Sequence, residues 1–276
     1  MLEIGKYHLM EILRETDSGL MLSSKEQDEI LLPGKFIPVE FEIGQLLEVY
    51  VYLDNKGRPI ATTQDAKISL YEFALLKVKN VSEHGAFLDM GIDKDLFVPF
   101  GEQASRMENG KSYLTYMYLD GISGRLTGST RLDQFLENDD HDFEDGNEVE
   151  ILCWKKTDLG FKVIVQGQFQ GLIHSNDIHR PLYTGLELTG FIHKVREDGK
   201  LDIRLEKAGY DKIEPSAQYI LEVLQYRGGF LLLNDKSEPE RIKKELSMSK
   251  KTFKKAIGLL YKERKINIEK TGIRLI

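Results

Sequence analysis

The feature that most constrains the fold of this chain is an internal repeat in its first half. Residues 49–54 (VYVYLD) recur as residues 115–120 (TYMYLD), an offset of 66 positions. The same offset aligns three pairs of single residues, namely Gly19 with Gly85, Pro33 with Pro99 and Gly44 with Gly110. Because four landmarks agree in one register, the chain contains at least two copies of one small structural unit.

A third copy follows the second at an offset of 75 positions. This offset aligns Gly85 with Gly160, Pro99 with His174 and Gly110 with Gly185. The added length lies mostly in an acidic linker, residues 137–146. We therefore predict three repeated domains at residues 1–65, 66–136 and 147–207, followed by a domain of different pattern at residues 212–276.

Each copy has the pattern of a small β domain. In the second copy, Ala86, Leu88 and Met90 alternate with Phe87 and Asp89, which is the period of a half-buried strand. About five such strands, separated by Gly, Asp and Asn, fit into roughly 65 residues. A unit this short favours a closed barrel of the oligonucleotide-binding (OB) type, because closure removes exposed sheet edges.

The last 62 or so residues change to a helical pattern. A helix is predicted at Pro215–Tyr226, ended by Gly228-Gly229, and a second is predicted after a capping box at Ser237 with Pro239 in its first turn. Ser249 can cap a third helix, and residues 266–269 and 273–276 form a two-stranded hairpin. This order of elements is that of an α+β winged-helix domain.

The third predicted helix has two chemically different sides. Its apolar side carries Phe253, Ile257, Leu260 and Tyr261. Its other side carries lysines, which are predicted to contact nucleic acid: Lys250, Lys251, Lys254 and Lys255.

Charge is distributed unevenly along a chain whose net charge is -7. Residues 1–146 carry 14 basic and 27 acidic side chains, residues 147–207 carry nine of each, and residues 208–276 carry 15 basic and nine acidic. We therefore expect a polyanion to bind toward the C-terminal half, with the acidic first barrel free to bind a protein partner.

Several segments resemble the S1 RNA-binding domain. The resemblance rests on residues 78–81 (VKNV), 85–91 (GAFLDMG), 96–99 (LFVP) and 170–175 (QGLIHS), and is most specific in the second and third copies. It implies five RNA-facing places per domain. In the second copy these are His84, Phe87, Pro99, Asp120 and Arg125; in the third, Leu159, Lys162, His174, Arg196 and Lys200; in the first, Ser18, Met21, Pro33, Asp54 and Arg58.

The three copies are predicted to differ in function. The second copy keeps Phe87, beside His84, and can hold an RNA base by stacking. The third replaces that Phe with Lys162 and is expected to contact the RNA backbone. The first has no aromatic residue at these places and is expected to be a structural or protein-binding barrel. Trp154, Tyr116 and Tyr118 are assigned to packing rather than to stacking on RNA.

Three S1-type barrels followed by a winged helix resemble the conserved virulence factor B family of Gram-positive bacteria. That resemblance covers essentially the whole chain. It implies an RNA-binding regulator that acts after transcription and affects virulence-related gene expression. The predicted fold class is accordingly multidomain and mainly β, with three tandem S1-type OB-fold barrels and a C-terminal winged-helix domain.

The sequence argues against catalysis, cofactors and membrane insertion. The acidic linker departs from the calcium-loop pattern, no Cys/His group has zinc spacing, and no phosphate-binding glycine loop occurs. We expect no enzyme activity, no metal, no cofactor and a cytoplasmic location, given a single cysteine and no apolar run of membrane length. Single-stranded RNA is the leading partner; duplex DNA bound by the winged helix, and a protein scaffold role, are the alternatives.

Overall fold

The computed structural model describes residues 2–24, 28–138, 141–206 and 215–276. It divides into two compact units, Met1–Leu205 and Glu206–Ile276. The first unit contains three closed five-stranded barrels, one for each copy of the repeat. The predicted fold class is confirmed: the chain is multidomain and mainly β, with three barrels followed by a small helical domain.

The three barrels share one strand order, in which the first strand is followed by the second, third, fifth and fourth around the barrel. The third and fifth strands run parallel and the other neighbours antiparallel. Barrel 1 is built from β1 (Lys6–Thr16), β2 (Gly19–Ser23), β3 (Glu29–Pro33), β4 (Leu46–Leu53) and β5 (Pro59–Thr62). Barrel 2 is built from β6 (Phe73–Val81), β7 (Gly85–Asp89), β8 (Asp95–Pro99), β9 (Ser112–Leu119) and β10 (Leu126–Ser129). Barrel 3 is built from β11 (Glu148–Lys156), β12 (Gly160–Val165), β13 (Phe169–His174), β14 (Glu187–Val195) and β15 (Leu201–Arg204).

The repeated glycine that begins the second strand has a steric explanation. In barrel 3, Gly160 lies opposite His174, and in barrel 1 Gly19 lies opposite Pro33. A Cβ atom on Gly160 would lie 2.0 Å from the carbonyl oxygen of Ile173, and Gly160 has a φ of +153°. The landmarks that defined the repeat are therefore residues that meet across one strand pair.

Barrels 1 and 2 are joined by a strand that is buried on both faces. Val49 and Val51 of β4 point into the core of barrel 1, whereas Tyr50 and Tyr52 pack with the core residues of barrel 2. The hydroxyl of Tyr50 donates a hydrogen bond of 3.1 Å to the carbonyl of Ile68 in the connecting segment. The two barrels are thus packed against each other rather than tethered by an open linker.

Barrels 2 and 3 are joined by a second apolar cluster. Leu114, Leu132, Trp154 and Ile164 are buried together, and Trp154 is 6% exposed. Tyr116 packs on this cluster and stacks on Phe135, with ring centroids 4.3 Å apart. The assignment of Trp154 and Tyr116 to packing is confirmed.

Asp89 of barrel 2 is predicted to make the stability of the first unit sensitive to acid. Its carboxylate accepts hydrogen bonds from Lys67 at 2.5 Å and contacts Lys79 at 3.3 Å, and the Lys67 contact above all lowers the pKa of Asp89 to about 2. Because the folded pKa lies below the usual value of 3.8, this contribution is present above about pH 4 and is lost as pH falls toward 2. Asp89→Asn should therefore lower the unfolding temperature at pH 6, and the difference from wild type should shrink at pH 3. An equal difference at both pH values would contradict this account.

The second unit has the winged-helix order of elements. It comprises α1 (Pro215–Tyr226), β16 (Phe230–Leu231), α2 (Pro239–Leu246), α3 (Lys250–Lys262), β17 (Ile266–Ile268) and β18 (Ile273–Leu275). The predicted helices and wing are confirmed, but the sheet has a third strand, β16, paired with β18. This strand of two residues is too short to show a period in the sequence. Within the described residues, no helix is long and apolar enough to span a bilayer.

Two local predictions in this unit are wrong. Ser237 does not cap α2: the cap position is Glu238, which forms no side-chain cap, while the Ser237 hydroxyl hydrogen-bonds Asn234. Tyr261 does not face the core with Phe253 and Leu260 but is 57% exposed. The Ser249 cap of α3 is confirmed, since its hydroxyl accepts a hydrogen bond of 3.1 Å from the backbone N–H of Thr252.

Candidate nucleic-acid interface

The outer face of barrel 2 carries a row of side chains across four strands, and three of them are aromatic. Phe87 on β7 lies opposite Phe97 on β8, Phe97 lies opposite Thr127 on β10, and Thr127 lies opposite Tyr118 on β9. The rings of Phe87 and Phe97 have centroids 5.1 Å apart. Strand alternation produces this row: Ala86 and Leu88 point into the core, so Phe87 between them must point out.

This aromatic row forms the floor of a groove with a volume of about 730 Å³. The groove contains all five places that the S1 resemblance assigned in the second copy: His84, Phe87, Pro99, Asp120 and Arg125. A volume of this size lies within the range of ligand-binding pockets in proteins.

Barrel 1 supplies part of the same groove. The end of β4 and the turn after it line the groove with five residues: Tyr52, Leu53, Asp54, Asn55 and Gly57. Asn55 accepts a hydrogen bond of 2.7 Å from Lys94 of barrel 2, which fixes the turn beside the aromatic row. The first copy, expected to be structural or protein-binding, therefore lies at the groove as well.

The charged residues of the groove are mostly acidic. Four carboxylates line it: Asp54, Asp95, Glu102 and Asp120. The backbone N–H and the guanidinium of Arg58 lower the pKa of Asp54 to about 2, and hydrogen bonds from Ser123 lower the pKa of Asp120. With Lys94 and Arg125 as the lining cations, the groove suits a flat, uncharged ring better than a run of phosphates.

Two predicted residues of the second copy are open to solvent. The His84 side chain is 79% exposed, and Arg125 is exposed and forms no ion pair within residues 2–24, 28–138, 141–206 and 215–276. The backbone N–H of Asp120 donates to the carbonyl of Arg125 at 2.9 Å, which brackets the turn between β9 and β10. Arg125 is therefore available to a phosphate beside a stacked base.

Barrel 3 has a charged network at the equivalent face. Asp202 Oδ1 lies 2.8 Å from His174 Nε2 and accepts a hydrogen bond of 3.0 Å from Arg196 Nε. Burial acts to raise the pKa of Asp202, but the hydrogen bonds from Arg196 and His174 outweigh it and lower the pKa. Asp202 thus holds two predicted RNA-binding residues together.

The other two predicted cations of barrel 3 are also paired. Lys162 donates a hydrogen bond of 3.0 Å to Asp133, and Lys200 donates one of 2.8 Å to Asp198. The four polar residues predicted in the third copy therefore contact a carboxylate, so an RNA phosphate would have to compete with these contacts. The fifth, Leu159, is 70% exposed.

The equivalent row in barrel 1 is apolar. Met21 lies opposite Leu31, Leu31 opposite Ile60, and Ile60 opposite Tyr52, which is buried against barrel 2. No ring in this row is free for stacking among the described residues of barrel 1. The row therefore offers a matched control for substitutions in barrel 2.

The winged-helix unit presents its predicted lysines on one side of α3. Phe253, Ala256, Ile257 and Leu260 are buried on the opposite side. Lys251, Lys254 and Lys255 are exposed, and Lys250 is half-buried. Lys250, Lys251 and Lys254 form no ion pair with any residue in the described part of the chain. This side of α3 is a basic surface in the position of a recognition helix.

Sequence reasoning missed four residues of these surfaces: Phe97, Tyr118, Asp133 and Asp202. Phe97 could have been found, since it alternates with buried neighbours as Phe87 does, and Tyr118 follows the buried Met117. Tyr118, assigned to packing, in fact lines the groove beside Phe135, with ring centroids 5.3 Å apart. Asp133 lies 29 positions from Lys162, and Asp202 lies 28 positions from His174, so no local pattern indicates these two pairs.

Comparison with known proteins agrees with this architecture. The model for an S1 domain matches residues 4–64, and the model for a CvfB-like winged helix domain matches residues 218–275. The S1 match falls on the first copy, where the sequence pattern was least specific. The S1 and winged-helix domain types support a chain that binds nucleic acid.

Sequence similarity to known proteins extends over nearly the whole chain. The Bacillus subtilis protein YitL is 27% identical over 275 residues, covering 95% of this chain and 90% of that protein. Conserved virulence factor B of Staphylococcus epidermidis (strain RP62A) is 24% identical over 281 residues, and that of Staphylococcus aureus (strain N315) is 26% identical over 283; each comparison covers 99% of this chain and 94% of the relative. A solved structure from Streptococcus pneumoniae, described as a multidomain protein with nucleic acid binding domains, is 24% identical with a TM-score of 0.43, covering 99% of this chain and 98% of that one. The predicted resemblance to the conserved virulence factor B family is confirmed by the relatives that carry this name.

Proposed function

We propose, from the similarity of nearly the whole chain to the conserved virulence factor B proteins, that it binds single-stranded RNA with little sequence preference. One observation carries the proposal: barrel 2 presents Phe87, Phe97 and Tyr118 side by side in one groove. Stacking of bases on aromatic rings contributes about 1–3 kcal/mol per base and tolerates every base, because each has a flat π face.

Cations at the edge of the groove and on other surfaces would supply the phosphate contacts. Arg125 borders the aromatic row, barrel 3 carries Arg196 and Lys200, and α3 carries its lysines. The ion pair of Lys200 is solvent-exposed, and exposed ion pairs contribute only about 0–1 kcal/mol, so a phosphate can displace the carboxylate at small cost. Single-stranded RNA, which has bases on one edge and phosphates on the other, can contact both the aromatic groove and the cations.

We further propose that the chain acts as a binding protein rather than as an enzyme, in the cytoplasm, and regulates gene expression after transcription. The relatives named conserved virulence factor B support a regulatory role. Binding of unpaired RNA by a protein without a catalytic step is the simplest route from these surfaces to such a role.

The test is a fluorescence-anisotropy titration of a labelled, mixed-sequence RNA 12-mer at 50 mM and 200 mM salt. If about three phosphates are contacted, affinity should fall roughly 20-fold between the two salt concentrations. Failure to bind at 50 mM salt, or an affinity unchanged by salt, would overturn the proposal.

Duplex-DNA binding by the winged helix is the second candidate function, and the basic surface of α3 is the observation that favours it. Unlabelled duplex DNA and unlabelled single-stranded RNA can be compared as competitors for the labelled 12-mer. Stronger competition by the RNA supports the first proposal, and stronger competition by the duplex supports the second. Failure of both nucleic acids to bind would favour a protein-binding scaffold.

The lysines of α3 lead to a separate prediction. If Lys251 and Lys254 each contact a phosphate, Lys251→Gln with Lys254→Gln should reduce the slope of log affinity against log salt by about 1.4. Titrations at four salt concentrations measure this slope. The matched control removes two exposed lysines elsewhere, with Lys77→Gln and Lys236→Gln; an equal change in the control would show that only total charge matters.

A further inference from the structure

Two lysines of barrel 3 lie opposite each other on neighbouring strands, an arrangement that favours binding of an anion. Lys155 on β11 is the direct cross-strand partner of Lys162 on β12. Both ammonium groups lie over the ring of Trp154, at 4.2 and 4.9 Å from its centroid. Like charges directly opposite on neighbouring strands destabilise a sheet, so a negative group between the two lysines relieves their repulsion.

Asp133 supplies that negative group from barrel 2. It belongs to the short helical turn Leu132–Phe135 that follows β10. Its Oδ1 atom lies 3.0 Å from Lys162 Nζ, and its Oδ2 atom lies 3.7 Å from Lys155 Nζ. One carboxylate therefore bridges two ammonium groups, with one oxygen directed to each.

The bridge is open to solvent and leaves positive charge uncompensated. The Asp133 side chain is 60% exposed, so a ligand can reach the two lysines. Two ammonium groups and one carboxylate leave a net charge of +1 at the cluster. An RNA phosphodiester carries one negative charge and two unesterified oxygens, and so matches the carboxylate that already bridges the lysines.

We propose that Lys155 and Lys162 form a binding site for one RNA phosphate, and that Asp133 occupies this site in the free protein. This inference rests on the proposed function, because the phosphate is part of the bound RNA strand. The phosphate displaces Asp133, joins the two ammonium groups in its place, and frees the turn of barrel 2 from barrel 3. Asp133 is thus an internal competitor of RNA.

The single tryptophan of the chain is a built-in reporter of this exchange. Trp154 is buried at the junction of barrels 2 and 3, yet its ring contacts both lysines. Movement of the ammonium groups or of the Asp133 turn changes the electric field at the indole. Its emission should therefore change when RNA fills the site, although no base can stack on a buried ring.

The experiment compares wild type, Asp133→Asn and Asp158→Asn in the 276-residue chain. Asp158 is an exposed aspartate in the turn between β11 and β12, so its substitution removes the same charge nearby without touching the lysines. Asp133→Asn should bind the labelled RNA 12-mer about 2–5-fold more tightly than Asp158→Asn, as expected for loss of one exposed ion pair. RNA should change Trp154 emission in wild type, and less in Asp133→Asn.

A third variant tests the lysines themselves. Lys155→Gln should weaken RNA binding and reduce the emission change, although Lys155 lies outside the set of residues implied by the S1 resemblance. Tight RNA binding with unchanged Trp154 emission, together with equal affinities of the two aspartate variants, would overturn this inference and leave the proposed function standing. Absence of RNA binding by every variant would overturn both.

Discussion

Replacing Phe87 and Phe97 together by alanine is expected to lower the affinity for single-stranded RNA by about 100-fold. The two rings are adjacent on β7 and β8, with centroids 5.1 Å apart, and each can support one base. Loss of stacking costs about 1–3 kcal/mol per base, and 1.4 kcal/mol is a tenfold change in affinity. Anisotropy titration with the labelled 12-mer measures the loss directly.

Two controls separate stacking from folding. Met21→Ala with Leu31→Ala removes the register-equivalent side chains of barrel 1 and should leave RNA affinity within about twofold of wild type. Phe87→Leu keeps the apolar area of the side chain but removes the π face. It should weaken RNA binding as much as Phe87→Ala does, while preserving the unfolding temperature. If the leucine variant binds RNA as well as wild type does, the aromatic row is packing rather than a binding surface.

Substitution of Gly160 by alanine is expected to destabilise the first unit by about 3 kcal/mol, the second largest effect. A Cβ atom 2.0 Å from the Ile173 carbonyl oxygen must push apart β12 and β13, and a φ of +153° strains any other residue. A loss of this size should lower the unfolding midpoint by roughly 6–12 °C, measured by circular dichroism.

The matched control for this glycine is Gly101→Ala. Gly101 lies in barrel 2 and lacks a positive φ, and a Cβ atom at this position would have no heavy atom within 4 Å. Its substitution should change the unfolding midpoint by less than about 2 °C. Equal midpoints for the two alanine variants would mean that close strand contact does not explain the repeated glycine.

The fold could be predicted from the sequence because the residues that determine it act locally and recur in each copy of the repeat. Gly19, Gly85 and Gly160 begin the second strand of each barrel, and each lies opposite the other repeat landmark, Pro33, Pro99 or His174. Alternation around Phe87 then assigned core and surface. In the winged helix, the Gly228-Gly229 stop and the Ser249 cap set the helix ends.

The candidate site could be predicted from the sequence only in part, because some of the residues that form it come from distant segments of the chain. Phe87, Asp120 and Arg125 were placed in one groove, as the S1 resemblance implied. The contribution of Asn55 depends on how barrel 1 packs against barrel 2, which is decided by Tyr50 and Tyr52 pointing outward from β4. No periodicity within one copy encodes such packing.

The distribution of charge along the sequence predicted which part of the chain is basic, but not which individual cations are available to a ligand. The third copy carries equal numbers of acidic and basic side chains, and the structure places Asp202 against Arg196 and His174. Lys162 is likewise paired with Asp133 from another barrel. Counts of charge therefore predicted which half of the chain is basic, whereas three-dimensional pairing decides which cations a ligand reaches without competition.

Photochemical crosslinking of RNA to the 276-residue chain, followed by mass spectrometry of the peptides, tests the central claim most directly. Irradiation at 254 nm joins a base to a side chain in stacking contact, so the linked residue reports where the base lies. We expect crosslinked nucleotides on peptides that contain Phe87, Phe97 or Tyr118. Crosslinks confined to the winged-helix unit, with none on barrel 2, would contradict the assignment of the groove as the RNA-binding site.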